Sequence, residues 1–244
     1  MVEHRRAPPG SVGGCGQAQQ SGRVLLEDLR ADLLSCRILP GSRLKIQELC
    51  TRLSVSLGAI REALSRLTSE GLVVAEPQRG FRAAPISAED LSDLTRVRVE
   101  IESLCLRRAI ELGTVDWESR IVAAFHRLSR TPERAPDDPA RSNEDWAAAH
   151  GAFHLALVEG CASPWLLRLH GQLYDQSERY RRLSVPLSRR KRRIGDEHQA
   201  IMEAALARDA EKAVALLTAH MTETTNILLA AKLEADPAPR AARG

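Results

Sequence analysis

Between Pro40-Gly41 and Pro85 the apolar residues change their period twice, and this constrains the fold more than any other feature of the chain. Ile46, Leu49 and Leu53 recur at helical spacing from Lys45 to Leu53, and Ser54-Val55-Ser56 breaks the pattern. From Leu57 to about Glu70, Ile60, Leu64 and Leu67 form a second stripe, closed by Gly71 just past the helix end. Leu72-Val73-Val74-Ala75 is then β-prone, Pro77 to Gly80 is a turn, and Phe81-Arg82-Ala83-Ala84 returns before Pro85. Upstream, Leu26, Leu29, Leu33 and Cys36 place one more helix over Arg23 to Cys36.

Three helices followed by a hairpin, with a tight turn between the second and third helices, is the layout of a winged helix-turn-helix. After Pro85 the pattern is helical throughout. Helices are expected near Ala88 to Leu112, Val115 to Ser129, Ser142 to Gly160, Pro164 to Leu183, Leu187 to Arg208 and Ala210 to Lys232, with a Pro-rich loop over Arg130 to Arg141. The expected fold is mainly α: a winged helix-turn-helix over residues 22–86, then a bundle of about six helices over residues 87–233, with disordered tails at 1–21 and 234–244. Only 3% of the residues are aromatic, while Leu and Ala dominate the apolar set, which argues against a β-sandwich or barrel.

The formal net charge is +3, but it is concentrated: residues 22–86 hold ten basic and seven acidic groups, and the following part is near neutral. An anionic partner is therefore expected for the first part alone. Cys15, Cys36, Cys50, Cys105 and Cys161 are odd in number and widely spaced, which is no disulfide framework and fits a reducing compartment. No apolar run is long enough for a membrane span or a signal peptide, so a soluble cytoplasmic protein is expected.

The third helix presents Arg61, Ser65 and Arg66 away from its apolar stripe, and Ser56 stands where a hydroxyl caps the helix or meets a phosphate. Arg43, Lys45 and Arg52 precede it, and Arg79, Gly80 and Arg82 come from the hairpin. Singly these are solvated charges; together they flank a DNA groove. The stretch from Pro40 to Ala84 resembles the DNA-binding domain of the GntR family of bacterial transcription regulators, with Ile60-Arg61-Glu62-Ala63-Leu64, then Glu70-Gly71-Leu72-Val73, then Arg79-Gly80-Phe81 in place. The resemblance implies that Arg61, Ser56 and the wing around Arg79 and Gly80 touch double-stranded DNA. Where that family commonly has Ser-Arg-Thr-Pro, this chain reads Ser56-Leu57-Gly58-Ala59, which lacks an arginine and a hydroxyl.

In the helical part, His150 and His154 lie at i and i+4 beside Ala147, Phe153 and Leu157, so both imidazoles face inward. His198 precedes Ile201, Met202 and Ala205, and His220 follows Leu216 and Leu217, so these face the core as well. One histidine on an apolar stripe is ordinarily a hydrogen-bonded core residue. Four on three helices are better served by one shared cation, because buried neutral imidazoles need partners. No HExxH is present, and no Glu stands three residues before any of the four, which leaves out the common hydrolytic and di-iron patterns.

Phe153-His154, the run from Glu197 to Ala213, and His220 resemble the FCD domain, the helical effector domain of the FadR branch of the GntR family. Members usually ligate one divalent metal with an Asp and three His. His150 stands at the Asp position here, which implies four imidazoles and a preference for Zn or Ni. Arg98 interrupts the stripe Leu91, Leu94, Ile101 and Cys105. Either it snorkels out to pair with Glu102, or it lines a cavity that takes a carboxylate, and the resemblance places an effector-facing arginine there. Tyr174 and Arg181 are further effector candidates, and Arg189 to Arg193 reads as a solvated helix end. The stretches from His150 to Leu167 and from Leu173 to Ser184 are similar to regulators linked to carbon starvation and to glutarate and 4-aminobutyrate breakdown, which implies a short dicarboxylate or related acid.

The expected function is a homodimeric regulator, most often a repressor in this family, that binds a palindromic operator and is released or retained by a small carboxylate in a metal-containing bundle. The rivals are a metal-dependent hydrolase using the four histidines, for which no motif supplies a general base, and a protein-binding winged helix, against which the basic wing argues.

Overall fold

A computed structural model describes residues 14–138, 142–184 and 192–230, with the backbone alone for 14–21 and 184. The chain divides into two compact units, one ending at Leu33 and resuming over Ser42–Ala84, the other formed by Leu34–Gly41 and the chain from Pro85 onward.

In the first unit, α1 spans Gly14–Leu34 and buries Leu25, Leu29 and Leu33. The expected tail at 1–21 is corrected there: its last eight residues are helical, since their Gln and Ala residues suit a helix in spite of the flanking glycines. Residues 1–13 and the expected tail at 234–244 lie outside the described residues. A two-residue strand that the period did not reveal, β1 (Arg43–Leu44), precedes α2 (Ile46–Leu53) and α3 (Leu57–Ser69). The Ser56 hydroxyl caps α3 by accepting from Ala59 N at 3.2 Å. At its other end, Gly71, at φ +73°, closes a Schellman motif: Gly71 N donates to Thr68 O at 3.1 Å and Leu72 N to Leu67 O at 3.0 Å. Ile60, Leu64 and Leu67 are fully buried, as their spacing predicts, and each such side chain contributes about 1.5–3 kcal/mol. β2 (Val73–Glu76) and β3 (Gly80–Ala83) form the hairpin, and β1 extends it to an antiparallel sheet in the order β1-β3-β2. Gly80, at φ +90°, occupies a backbone region that side chains avoid, which is why the wing turns there.

The second unit contains α4 (Ala88–Leu112), α5 (Val115–Arg130), α6 (Glu144–Val158) with a 3-10 turn at Glu159–Cys161, α7 (Pro164–Ser184), α8 (Ile194–Leu206) and α9 (Ala210–Ala230). Ser87, Thr114 and Asn143 cap α4, α5 and α6 with their side chains. The expected start of a helix at Leu187 falls outside the described residues; α8 is observed from Ile194. Trp117, Ile121, Phe153, Leu157, Ile201 and Leu217 join four of the helices in one core, and Trp117 Nε1 donates to Ala156 O at 2.9 Å. A smaller cluster joins Leu91, Tyr180 and Leu228. Helix α6 buries residues on nearly every side, so His150 and His154 are enclosed rather than edge-on to water. Among the described residues no helix is long and apolar enough to cross a membrane.

Candidate metal centre and nucleic-acid interface

In the first unit the basic side chains separate into two groups. Lys45 pairs with Glu48, Arg52 with Asp32, Arg66 with Glu62 and Arg82 with Glu76. Arg61 on α3 and Arg79 in the wing are exposed, and their side chains make no ion pair among the described residues. Arg43 is exposed and donates from Nη2 to Arg79 O at 2.8 Å, which fixes the wing backbone to β1. Ser65 and Gly80 are exposed as well. Ser56 spends its oxygen on the α3 cap, so its part in a phosphate contact would fall to the O–H.

In the second unit α6 contributes His150 and His154, α8 His198 and α9 His220. All four are buried, and each offers one ring nitrogen within 4.8 Å of the others. Nε2 of His150, His154 and His198 is buried without a hydrogen-bond partner, a costly arrangement for neutral imidazoles unless something accepts the three lone pairs. His150 Nδ1 lies 2.9 Å from the Tyr174 hydroxyl, and His220 Nδ1 lies 2.8 Å from Glu197 Oε2. Those contacts fix the far side of each ring, the usual device for orienting a ligating imidazole. Burial, then the neighbouring imidazoles and arginines, hold the pKa values of His150 and His154 well below the usual imidazole range, and burial acts likewise on His198 and His220. The rings are thus neutral at pH 7, the form that ligates a metal. Burial works against the Glu197 carboxylate, but hydrogen bonds from His220 and Arg192 outweigh it and bring its pKa down to about 2. The donor set fits a divalent metal of borderline softness.

A cavity of about 620 Å³ opens beside His150, His154 and His220 and is bordered by Arg98, Arg181 and Arg192. Arg98 does not snorkel outward. Its side chain is 12% exposed, Nε donates to Glu102 Oε1 at 2.5 Å and Nη1 to Ser177 Oγ at 2.8 Å, and the guanidinium lies 5.2 Å from the Tyr174 ring centre. Both readings of Arg98 hold in part: the i+4 partner is Glu102, yet the pair faces the cavity. Arg181 Nε donates to Glu178 Oε2 at 2.8 Å, and its guanidinium lies 4.9 Å from the Trp146 ring centre. Tyr174 is half-buried beside His150, and Gly151 leaves room for it.

Three residues have surroundings that the sequence reading did not give them. Glu102 is fully buried, with Oε1 3.6 Å from His170 Nδ1 and Oε2 4.0 Å from His154 Nδ1. On α4 the expected run holds, with Leu91 and Cys105 buried and Leu94 and Ile101 packed against the apolar clusters, and Glu102 is buried beside it. His170 is buried too, and the spacing Leu166, His170, Tyr174, Ser177, Arg181 was the available signal. Arg192 corrects the reading of Arg189 to Arg193 as a solvated end: it turns inward, donating to Glu197 at 2.8 and 2.6 Å and to His220 O at 2.8 Å. Arg193 is exposed as expected, and 189–191 lie outside the described residues.

A winged helix-turn-helix whose third helix and wing carry arginines with no ion pair among the described residues, in one chain with a helical domain, defines a class of DNA-binding regulator. Residues 23–82 match the family of bacterial regulatory proteins called gntR, and residues 93–223 match the FCD domain. The chain belongs to the GntR family and is a transcriptional regulator with a DNA-binding domain. It is 42% identical over 200 residues to the uncharacterized HTH-type transcriptional regulator BphR of Paraburkholderia xenovorans strain LB400, covering 82% of each chain. It is 34% identical to the HTH-type transcriptional repressor GlaR of Escherichia coli K12, covering 79% of this chain and 89% of that one. In fold it is similar to E. coli McbR/YncC, with a TM-score of 0.70 and 22% identity over 86% of this chain and 97% of that one. The family and these relatives are regulators rather than enzymes.

Proposed function

We propose that this regulator is a cytoplasmic homodimeric repressor of the FadR branch whose operator affinity is set by a small carboxylate bound at a four-histidine metal site. The carrying observation is the set of three buried, partnerless Nε2 atoms beside a cavity bordered by Arg98. One Zn or Ni ion held by His150, His154, His198 and His220 would satisfy those lone pairs and supply a Lewis-acidic seat for a carboxylate oxygen. Arg98 would meet the same carboxylate. The similarity to a protein named a repressor supports the sign of regulation. Two winged helices on paired half-sites call for a dimer. A ligand that fits the bundle better in a non-binding arrangement must, reciprocally, weaken DNA affinity, by a factor of roughly 5 to 150. The hydrolase alternative gains no support, because the carboxylates nearest the histidines, Glu102 and Glu197, are already held by Arg98 and Arg192.

Elemental analysis of the purified protein tests the metal: about one divalent ion per chain is expected in the parent and none in His154→Ala or His198→Ala. Equal metal in all three would reduce the cluster to core histidines.

A further inference from the structure

The cavity has two unlike sides, and their chemistry narrows the acid it accepts, given the carboxylate-binding reading above. Its three half-buried arginines each have a glutamate partner: Arg98 with Glu102, Arg181 with Glu178, which Arg182 shares, and Arg192 with Glu197. What Arg98 leaves over is Nη2, which has no hydrogen-bond partner among the described residues. With a divalent ion in place, that nitrogen and the metal form a single seat for one carboxylate.

The hydroxyls of the cavity are committed as well. Ser177 Oγ donates to Tyr174 O at 2.8 Å, Thr95 Oγ1 to Leu91 O at 2.8 Å and Thr224 Oγ1 to His220 O at 3.2 Å. Thr225 Oγ1 lies 2.7 Å from Thr95 Oγ1 and 3.3 Å from Met221 O. A polyhydroxylated acid would find few protons turned toward it, and burying its hydroxyls without partners is costly. Part of the wall is apolar, formed by Leu91, Met221, Ile227 and Leu228, while Glu133, Arg134 and Arg193 line the cavity as well. The volume of about 620 Å³ is in the range of pockets that enclose drug-sized ligands, well beyond what a four- or five-carbon acid fills.

We infer that the effector is a monocarboxylate with an apolar body of six or more carbons, its carboxylate on the metal and Arg98 and its body along Leu91, Met221, Ile227 and Leu228. An alkyl acid and an aryl acid share this chemistry. The short dicarboxylate expected from the sequence likeness satisfies the seat but leaves the apolar wall bare.

The test is calorimetry on the metal-loaded full-length protein with butanoate, hexanoate, octanoate, 4-phenylbutyrate and glutarate. Affinity should rise from butanoate to octanoate by as much as about fourfold per buried methylene, with glutarate no tighter than butanoate. A stronger response to 4-phenylbutyrate than to octanoate would assign the aryl form, and the reverse the alkyl form. Ile227→Glu, at a half-buried cavity position, should weaken octanoate by roughly tenfold or more and butanoate by a clearly smaller factor, while metal content stays at the parent's level. Affinity that is flat along the series, or glutarate binding more tightly than octanoate, overturns the assigned class while leaving a carboxylate site standing. If none of the five acids binds the metal-loaded protein, the carboxylate reading itself fails, and the inference with it.

Discussion

The Tyr174 hydroxyl on α7 lies 2.9 Å from His150 Nδ1 on α6, and the neighbouring Gly151 permits it, since a Cβ there would stand 3.2 Å from that oxygen. The hydroxyl thereby sets which nitrogen of His150 faces the other three imidazoles. Tyr174→Phe keeps the ring and its packing but releases Nδ1. Metal affinity should fall by about 10- to 100-fold, as is typical when an outer hydrogen bond to a ligating histidine is lost. Competition with a chelator reads this directly; an affinity equal to the parent's would leave Tyr174 a packing residue only.

Glu197 acts on His220 in the same way, with Arg192 holding the carboxylate. Glu197→Gln retains the shape but removes the charge that favours the Nδ1–H tautomer. Metal affinity should again drop by about 10- to 100-fold, and Arg192→Ala should follow in the same direction because Glu197 is then free to turn away. Unchanged metal affinity in both variants would separate this ion pair from the metal site.

Acid should destabilise the metal-free protein through the same residues. His150, His154 and His198 have folded-state pKa values well below their unfolded value near 6.5, for which burial is the main cause. Above pH about 6.5 the rings are neutral in both states and the shift has no effect. As pH falls below that value the unfolded chain binds protons that the folded chain refuses, so stability declines. Thermal unfolding of the chelated protein should therefore show Tm falling from pH 7 to pH 5. Saturating metal should raise Tm at pH 7, since it binds the folded state alone, and the gain should shrink on acidification as protons compete for the same nitrogens. A Tm of the chelated protein that holds level between pH 7 and pH 5 would show that these imidazoles are hydrated or already protonated.

How legible each part was in the sequence depended on how local its cause is. The stripe Ile60, Leu64, Leu67 with Gly71 behind it specifies α3 and its end from a few consecutive residues, and Arg79-Gly80 specifies the wing turn. The inward direction of His150, His154, His198 and His220 follows from neighbours three and four positions away, and their meeting at one point required only that the helices pack. β1 was hidden because two residues carry no period, and it exists by pairing Arg43 with Arg82 and Leu44 with Phe81. Glu102 and Arg192 were misread because charged side chains are assigned to water unless a partner from another element is known. Glu102 has His170 and Arg192 has Thr224 from elsewhere in the chain.

The last prediction concerns DNA. Arg61 and Arg66 both sit on the outer face of α3, yet they differ in one respect: Arg66 Nη2 donates to Glu62 Oε1 at 2.9 Å, while the Arg61 side chain makes no ion pair among the described residues. An arginine whose fork is uncommitted can meet base edges in the major groove, and Arg61 lies in the first half of the helix, the part that reads bases in helix-turn-helix proteins. Arg61→Ala should cost about 1–3 kcal/mol in operator affinity and relax preference at one base position. Arg79→Ala in the wing should instead weaken binding evenly across sequences and lower the salt dependence by about one phosphate contact. Arg66→Ala should matter least, because the partner it would abandon offsets part of the gain from any phosphate it met. Titration of the three variants against operator and random DNA at several salt concentrations separates these effects. Should Arg61→Ala bind the operator as tightly as the parent while Arg66→Ala loses specificity, the reading face of α3 is rotated from the one the ion pairs indicate.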